Sequence, residues 1–141
     1  MSAGPPHHEP AEIAVIPTAL RRSLIADAVI DGLLGLVLFI APEPVLRAFG
    51  WHAVDPIATR LLASALFGMS AQTWLGRNGD VAEIRAGLNL KVVWTGTATL
   101  GLAIAVASGA LLLVDVALIA FGVFFVQWIY WRRKLRSSSR G

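Results

Sequence analysis

Four long apolar runs constrain this chain more than any other feature of its sequence. They cover residues 20–41, 57–75, 86–108 and 111–131. A helix rises about 1.5 Å per residue, so about 20 residues cross a hydrocarbon layer of roughly 30 Å. Membrane barrel strands alternate in polarity over about 10 residues, whereas these runs are continuous. The sequence therefore predicts an all-α protein, a membrane four-helix bundle formed by residues 20–131.

The composition agrees with lipid as the surrounding medium. Hydrophobic residues make up 56% of the chain and charged residues 15%, against roughly 45–50% and 25% in typical soluble domains. This balance argues against a soluble enzyme or a nucleic-acid-binding domain and predicts the lipid bilayer as the main partner. The chain has no cysteine, which excludes thiolate metal sites and iron–sulfur clusters.

Motifs for catalysis or cofactor binding are absent from the sequence. It contains no GxSxG, HExxH, P-loop or GxGxxG pattern, each of which carries a defined chemistry. The three histidines, His7, His8 and His52, all lie outside the apolar runs, so bis-histidine haem ligation within the bundle is excluded. We predict no catalytic residue, no metal site and no cofactor.

Basic residues predict the orientation of the bundle. Residues 1–19 form a proline-rich segment expected to be flexible, and residues 132–141 form a basic tail. Lysine and arginine favour the cytoplasmic side of a membrane. They are concentrated before the first run, in the second loop and after the fourth run, whereas the opposite side has only Arg47 and Arg60. Both termini are therefore predicted to be cytoplasmic.

The first loop contains two further signals. Residues 45–51 (VLRAFGW) are short and amphipathic, which is typical of a segment lying at the membrane interface. Asp55 and Pro56 then predict the start of the second helix, because aspartate caps helix N-termini and proline is tolerated at the first helical position.

Six ionisable residues within or beside the apolar runs are the candidate functional residues. Placing one near the bilayer centre costs about 3 kcal/mol, so such residues are expected to pair. Depth along the helices predicts an intramembrane charge network of three ion pairs. These pairs are Asp31–Lys91, Asp27–Arg85 and Arg60–Asp115.

Small residues recur beside these charges at helical spacing. In the second run Arg60, Ser64, Gly68 and Gln72 repeat every four residues. In the third run a comparable stripe includes Gly87, Lys91, Trp94, Ala98 and Gly101. Small residues allow close helix approach in lipid, so each charge is predicted to lie on a packing face.

Two interpretations of the charges follow. As structural pairs, they fix which helices become neighbours, and the protein has a structural or accessory role as a homo-oligomer or a small subunit of a larger membrane complex. As a functional site, Asp27, Asp31 and Lys91 bind a proton or cation in a small transporter or channel. The first interpretation is favoured because the bases are able to neutralise both acids. A membrane enzyme acting on a lipid is a third alternative.

The run from Arg60 to Arg77 (RLLASALFGMSAQTWLGR) follows a first helix closed by Ala-Pro and a Phe-Gly-Trp loop. This arrangement resembles small bacterial four-helix integral membrane proteins of the DoxX-like and domain-of-unknown-function families. The resemblance covers residues 20–131 and implies a bacterial plasma-membrane location. It implies no site residues, because no motif of those families matches residue by residue.

Overall fold

The computed structural model describes residues 16–51, 53–109 and 112–137. Over these ranges the chain is helical and has no strand, which confirms the predicted all-α class. A 3-10 turn at Gly76–Asn78 separates the third and fourth helices. The α-helices are α1 (Thr18–Ile40), α2 (Pro42–Ala48), α3 (Pro56–Leu75), α4 (Val81–Ala107) and α5 (Leu112–Ser137).

Three helices among the described residues are long and apolar enough to cross a membrane. They are α1, α4 and, from Leu113 onward, α5. The second predicted crossing corresponds to α3, which has 20 residues but is not among the three. Its polar residues, chiefly Arg60 and Gln72, lower its mean hydropathy.

The starts of α3 and α4 are fixed by aspartate caps. The Asp55 carboxylate accepts hydrogen bonds from the backbone amides of Ile57 (2.8 Å) and Ala58 (3.1 Å), and Pro56 occupies the first turn. This confirms the predicted helix start. Asp80 caps α4 in the same way, accepting a bond of 2.8 Å from the amide of Glu83. These contacts satisfy amides that have no partner within the helix.

Both chain ends differ in extent from the predicted tails. Residues 1–15 and 138–141, together with His7, His8 and His52, lie outside the described residues. Thr18 begins α1, and α5 continues past the predicted end at residue 131 to Ser137. The first part of the basic segment is therefore helical. It contains Leu135, which is only 2% exposed.

The long helices pack as two close pairs, α1 with α3 and α4 with α5. In the first pair, a Cβ atom placed on Gly35 would lie 3.1 Å from the carbonyl oxygen of Ala63, and the Ser70 hydroxyl donates a bond of 2.7 Å to the carbonyl of Ala28. In the second pair, a Cβ on Gly96 would lie 2.9 Å from the Phe125 ring. Glycines therefore set the spacing in both pairs.

Large side chains join the two pairs. One buried cluster links α1, α4 and α5 near the start of α1 and the end of α5; it consists of Leu20, Leu24, Ile84, Leu88, Trp128 and Leu135. We call it the inner cluster. A second cluster belongs to α1 and α3, and Trp94 of α4 packs against it. Contact between the pairs thus depends on side chains rather than on close backbone approach.

The structure corrects the predicted packing face of α3. Arg60, Ser64 and Gly68 are exposed, and a Cβ on Gly68 would meet nothing within 4 Å. The buried face carries instead Thr59, Ala63, Leu66, Met69 and Thr73. The prediction is wrong here because α1 supplies the glycines of this interface, so α3 contributes larger side chains. In α4, the predicted stripe is buried at Gly87 and Lys91 but exposed at Gly101.

Candidate functional site

Lys91 is the centre of the candidate site. It lies in the first half of α4 and is 3% exposed, and α4 buries it on the same face as Leu88 and Thr95. The Thr95 hydroxyl donates a bond of 2.7 Å to the Lys91 backbone carbonyl. A lysine so far from solvent needs compensating negative charge, because desolvation of an ammonium group is costly.

Two carboxylates of α1 supply that charge. The Lys91 ammonium donates a hydrogen bond to Asp27 Oδ2, and its Nζ lies 3.9 Å from Asp31 Oδ2. Asp27 is buried, whereas Asp31 is half-buried. Residues four apart share a face of a helix, so α1 presents both carboxylates to the same lysine. We call Asp27, Asp31 and Lys91 the charge triad.

An aromatic ring from α5 completes the surroundings of the lysine. Its Nζ lies 5.3 Å from the centroid of the Trp128 ring, which is 1% exposed. A cation at this distance is attracted to the negative face of the indole ring. The carboxylates of α1 and the indole ring of α5 therefore both stabilise the ammonium group.

The predicted partner of Asp27 is corrected. Asp27 bonds to Lys91, whereas Arg85 lies six positions before Lys91 on α4. Six residues turn an α-helix by about 600°, so Arg85 points roughly 120° away from the face of Lys91. Depth along the helix was therefore not a sufficient criterion, because the two bases cannot both face α1.

The predicted pair between Arg60 and Asp115 is also corrected. Arg60 is exposed, and its Nε donates a bond of 3.4 Å to the carbonyl of Phe39 near the end of α1. Asp115 is half-buried in the first turn of α5, where the helix dipole favours negative charge. The two residues are separated because α3 packs on α1, whereas α5 packs on α4.

A cavity of about 190 Å³ lies beside the charge triad, between the two helix pairs. All three triad residues line it, and the rest of its wall is apolar or aromatic apart from Thr95. The aromatic rings come from α4 and α5; they are Trp94, Phe121, Phe124 and Trp128. An apolar wall with a few converging polar groups is typical of small-molecule sites.

Lys91 also lines a second, much smaller cleft. Its volume is about 10 Å³, close to the minimum that holds one water molecule. Gln72 and Thr73 of α3 line it together with Glu83 and Gly87 of α4. Lys91 therefore lines both this small cleft, beside the α3–α4 turn, and the larger aromatic cavity.

The charge balance of the triad determines its chemistry. Two carboxylates share one ammonium, so with all three groups ionised the triad has a net charge of −1. A site of this kind binds one further positive charge favourably, because the low dielectric of the interior strengthens the attraction. No group of three or more residues typical of metal ligands occurs in the described part of the chain.

Sequence reasoning missed Trp128 and the cavity. Trp128 lies in the segment QWIYWRR, and a concentration of aromatic residues at the end of an apolar run is typical of anchoring at the membrane interface. The spacing of the aromatic residues in the fourth run was the one sequence signal for this cavity wall. Phe121, Phe124 and Trp128 follow steps of three and four, which place them on one face of a helix.

Comparison with known proteins gives no relative: no family model, no curated protein and no solved structure matches this chain. The resemblance to DoxX-like membrane proteins therefore stays a prediction. The fold defines the chain as an all-helical protein, three of whose described helices are long and apolar enough for a membrane.

Proposed function

We propose that this protein crosses a bacterial plasma membrane four times, with both termini in the cytoplasm. The fourth crossing is α3, which packs closely along α1 and has 20 residues. Its exposed Arg60 lies in its first turns, where a long basic side chain extends to the membrane interface. The basic residues before α1, between α3 and α4 and in the last turns of α5 support this orientation.

We further propose that the protein is a small proton- or cation-coupled transporter whose binding site is the charge triad. The observation that carries this proposal is the sharing of one ammonium by two carboxylates at the wall of a cavity. Intramembrane acids that face a cavity rather than lipid are typical of ion and proton pathways.

The charge balance of the triad supports this proposal over a purely structural role. The structural interpretation was favoured on the expectation that nearby bases, Arg85 among them, neutralise both acids of α1. Since Arg85 lies on a different face of α4, the second carboxylate shares its base with Asp27. A site that only joins helices has no need of this excess negative charge, whereas a cation-binding site does.

Proton flux in proteoliposomes tests the proposal. We expect the protein to dissipate an imposed pH gradient, measured with an internal pH-sensitive dye, and Asp31→Asn to abolish this flux. Asp115→Asn is the matched control, because it removes an acid that does not line the cavity. Equal flux from Asp31→Asn and the unmodified protein would exclude the proposed site.

Thermal stability separates loss of function from loss of fold. If Asp31 serves transport, Asp31→Asn leaves the melting temperature in detergent close to that of the unmodified protein. If the triad is only structural, Asp31→Asn lowers the melting temperature, and adding Lys91→Met restores much of the loss. A double-mutant cycle over these two positions measures the coupling directly.

A structural or accessory role is the second candidate function, supported by the exposure of α4 and α5. Only 11% of the most apolar stretch of either helix is buried. Cβ atoms on Gly101 and Gly122 would meet nothing within 4 Å, so another helix has room to approach these faces. Chemical crosslinking in native membranes, followed by mass measurement, tests this role: a defined homo-oligomer or a co-purified larger complex supports it, and a lone monomer contradicts it.

A further inference from the structure

We infer that the cavity beside the charge triad binds a small aromatic or alkyl cation, of the quaternary-ammonium type, in competition with a proton on Asp31. This inference rests on the proposed cation-coupled function and deepens it by naming the chemical class of the ligand. Three properties of the cavity support it, namely its charge, its lining and its volume.

The charged residues of the cavity wall determine the sign of the charge that a ligand must have. Within the cavity wall, α1 contributes the carboxylates of Asp27 and Asp31 and α4 contributes the ammonium of Lys91. The residues that α3 and α5 contribute to the wall are uncharged. Asp27 is hydrogen-bonded to Lys91, so the more exposed Asp31 carries the negative charge available to a ligand. A monovalent cation neutralises the site, whereas an anion would add to its excess charge.

The lining favours an organic cation over a hydrated metal ion. Four aromatic rings surround the cavity, and Leu34, Leu66 and Met69 extend its apolar wall. Aromatic faces attract ammonium groups and are the usual means of recognising quaternary ammonium ligands. A small metal ion needs several oxygen ligands to replace its hydration shell, whereas the charge triad offers only two carboxylates, one of which is hydrogen-bonded to Lys91.

Volume limits the size of the ligand. An apolar cavity of about 150 Å³ accommodates benzene, which has six non-hydrogen atoms, so the 190 Å³ found here has room for a ligand of about seven. Choline, a quaternary ammonium ion, has this size and keeps its charge at every pH. Its carbon isostere, 3,3-dimethyl-1-butanol, has nearly the same shape and no charge. The pair therefore separates recognition of charge from filling of an apolar space.

Calorimetric titration of the full-length protein in detergent tests the inference. We expect choline to bind saturably, 3,3-dimethyl-1-butanol to fail to displace it, and the affinity for choline to fall as the pH is lowered. Asp31→Asn is expected to weaken binding by about tenfold or more, the size of a lost charged contact. Ala120→Phe is expected to abolish binding, since Ala120 lines the cavity and the larger ring fills it.

Asp115→Asn is the control and is expected to bind like the unmodified protein. Each variant is accepted only if it elutes as a single species and melts at a similar temperature. The inference is overturned if the unmodified protein binds no choline, if Asp31→Asn binds it equally well, or if 3,3-dimethyl-1-butanol displaces it. If Asp31-dependent proton flux persists while no cation binds, this inference fails and the proposed function stands; loss of both overturns both.

Discussion

The interfaces within the helix pairs differ from the interface between them. Within each pair, glycines make room for close contact, since Gly35 of α1 lies against the backbone of Ala63 and Gly96 of α4 lies against the Phe125 ring. Between the pairs, contact depends on the inner cluster, Trp94 and Lys91, and a cavity of about 190 Å³ lies beside Lys91. Close-packed interfaces resist movement, whereas those with cavities and few large side chains open at lower cost.

This difference explains where the candidate site lies. The charge triad joins α1 of one pair to α4 of the other, so its geometry depends on how the pairs are arranged. Binding of a cation there changes the attraction between the two pairs without disturbing either pair internally. The following predictions test this division of the molecule.

Lys91→Met is expected to have the largest effect. It leaves two carboxylates in the interface between the pairs without their ammonium partner, and removing one member of a buried ion pair costs about 3–5 kcal/mol. The midpoint of thermal unfolding in detergent measures this loss. Lys134→Met is the matched control, because the other lysine of the chain is exposed on α5. Equal shifts for the two variants would show that Lys91 does not hold the pairs together.

Gly35→Leu tests the close contact within the first pair. A Cβ at this position already lies 3.3 Å from Leu66 Cβ, so a leucine forces α1 and α3 apart at a cost of about 1–3 kcal/mol. The midpoint of thermal unfolding in detergent measures this cost. Gly68→Leu is the control, since that glycine faces open space on α3. An unchanged melting temperature for Gly35→Leu would contradict the close packing of this pair.

A disulfide within the first pair is expected to have the smallest effect. A Cβ on Gly32 would lie 3.7 Å from Ser70 Cβ, within the usual range for disulfides. The chain lacks cysteine, so the double variant Gly32→Cys, Ser70→Cys forms only this bond. If α1 and α3 move as one unit, oxidation leaves the proton flux unchanged. Flux that stops on oxidation and returns on reduction would show that movement occurs inside the pair.

The sequence predicted the helical class because a continuous apolar run of about 20 residues is typical of a membrane-spanning helix. It also predicted the start of α3, since the Asp55–Pro56 pair acts locally through its own cap. The face of α3 was not predictable in the same way. Which face is buried depends on the partner helix, and the glycines that set the spacing belong to α1.

The candidate site was predictable only in part. The acids Asp27 and Asp31 share a face because of their spacing, and depth along the helices indicated Lys91 as a partner. Depth along a helix gives no information on the direction a side chain takes around the helix axis. The pairing of Arg85 with Asp27 was therefore wrong, because Arg85 and Lys91 lie on different faces of α4. The aromatic cavity is formed by residues from four helices, and no local pattern in one segment specifies such a space.

The burial of Leu135 affects how shortened versions of this protein should be designed. Hydropathy alone would end the last helix at residue 131 and treat the following basic residues as dispensable. Such a truncation would remove Leu135 from the inner cluster, where it lies with Leu20 and Trp128. The resulting gap would expose the apolar interior at the start of α1. A stop codon placed after Ser137 retains the whole of α5.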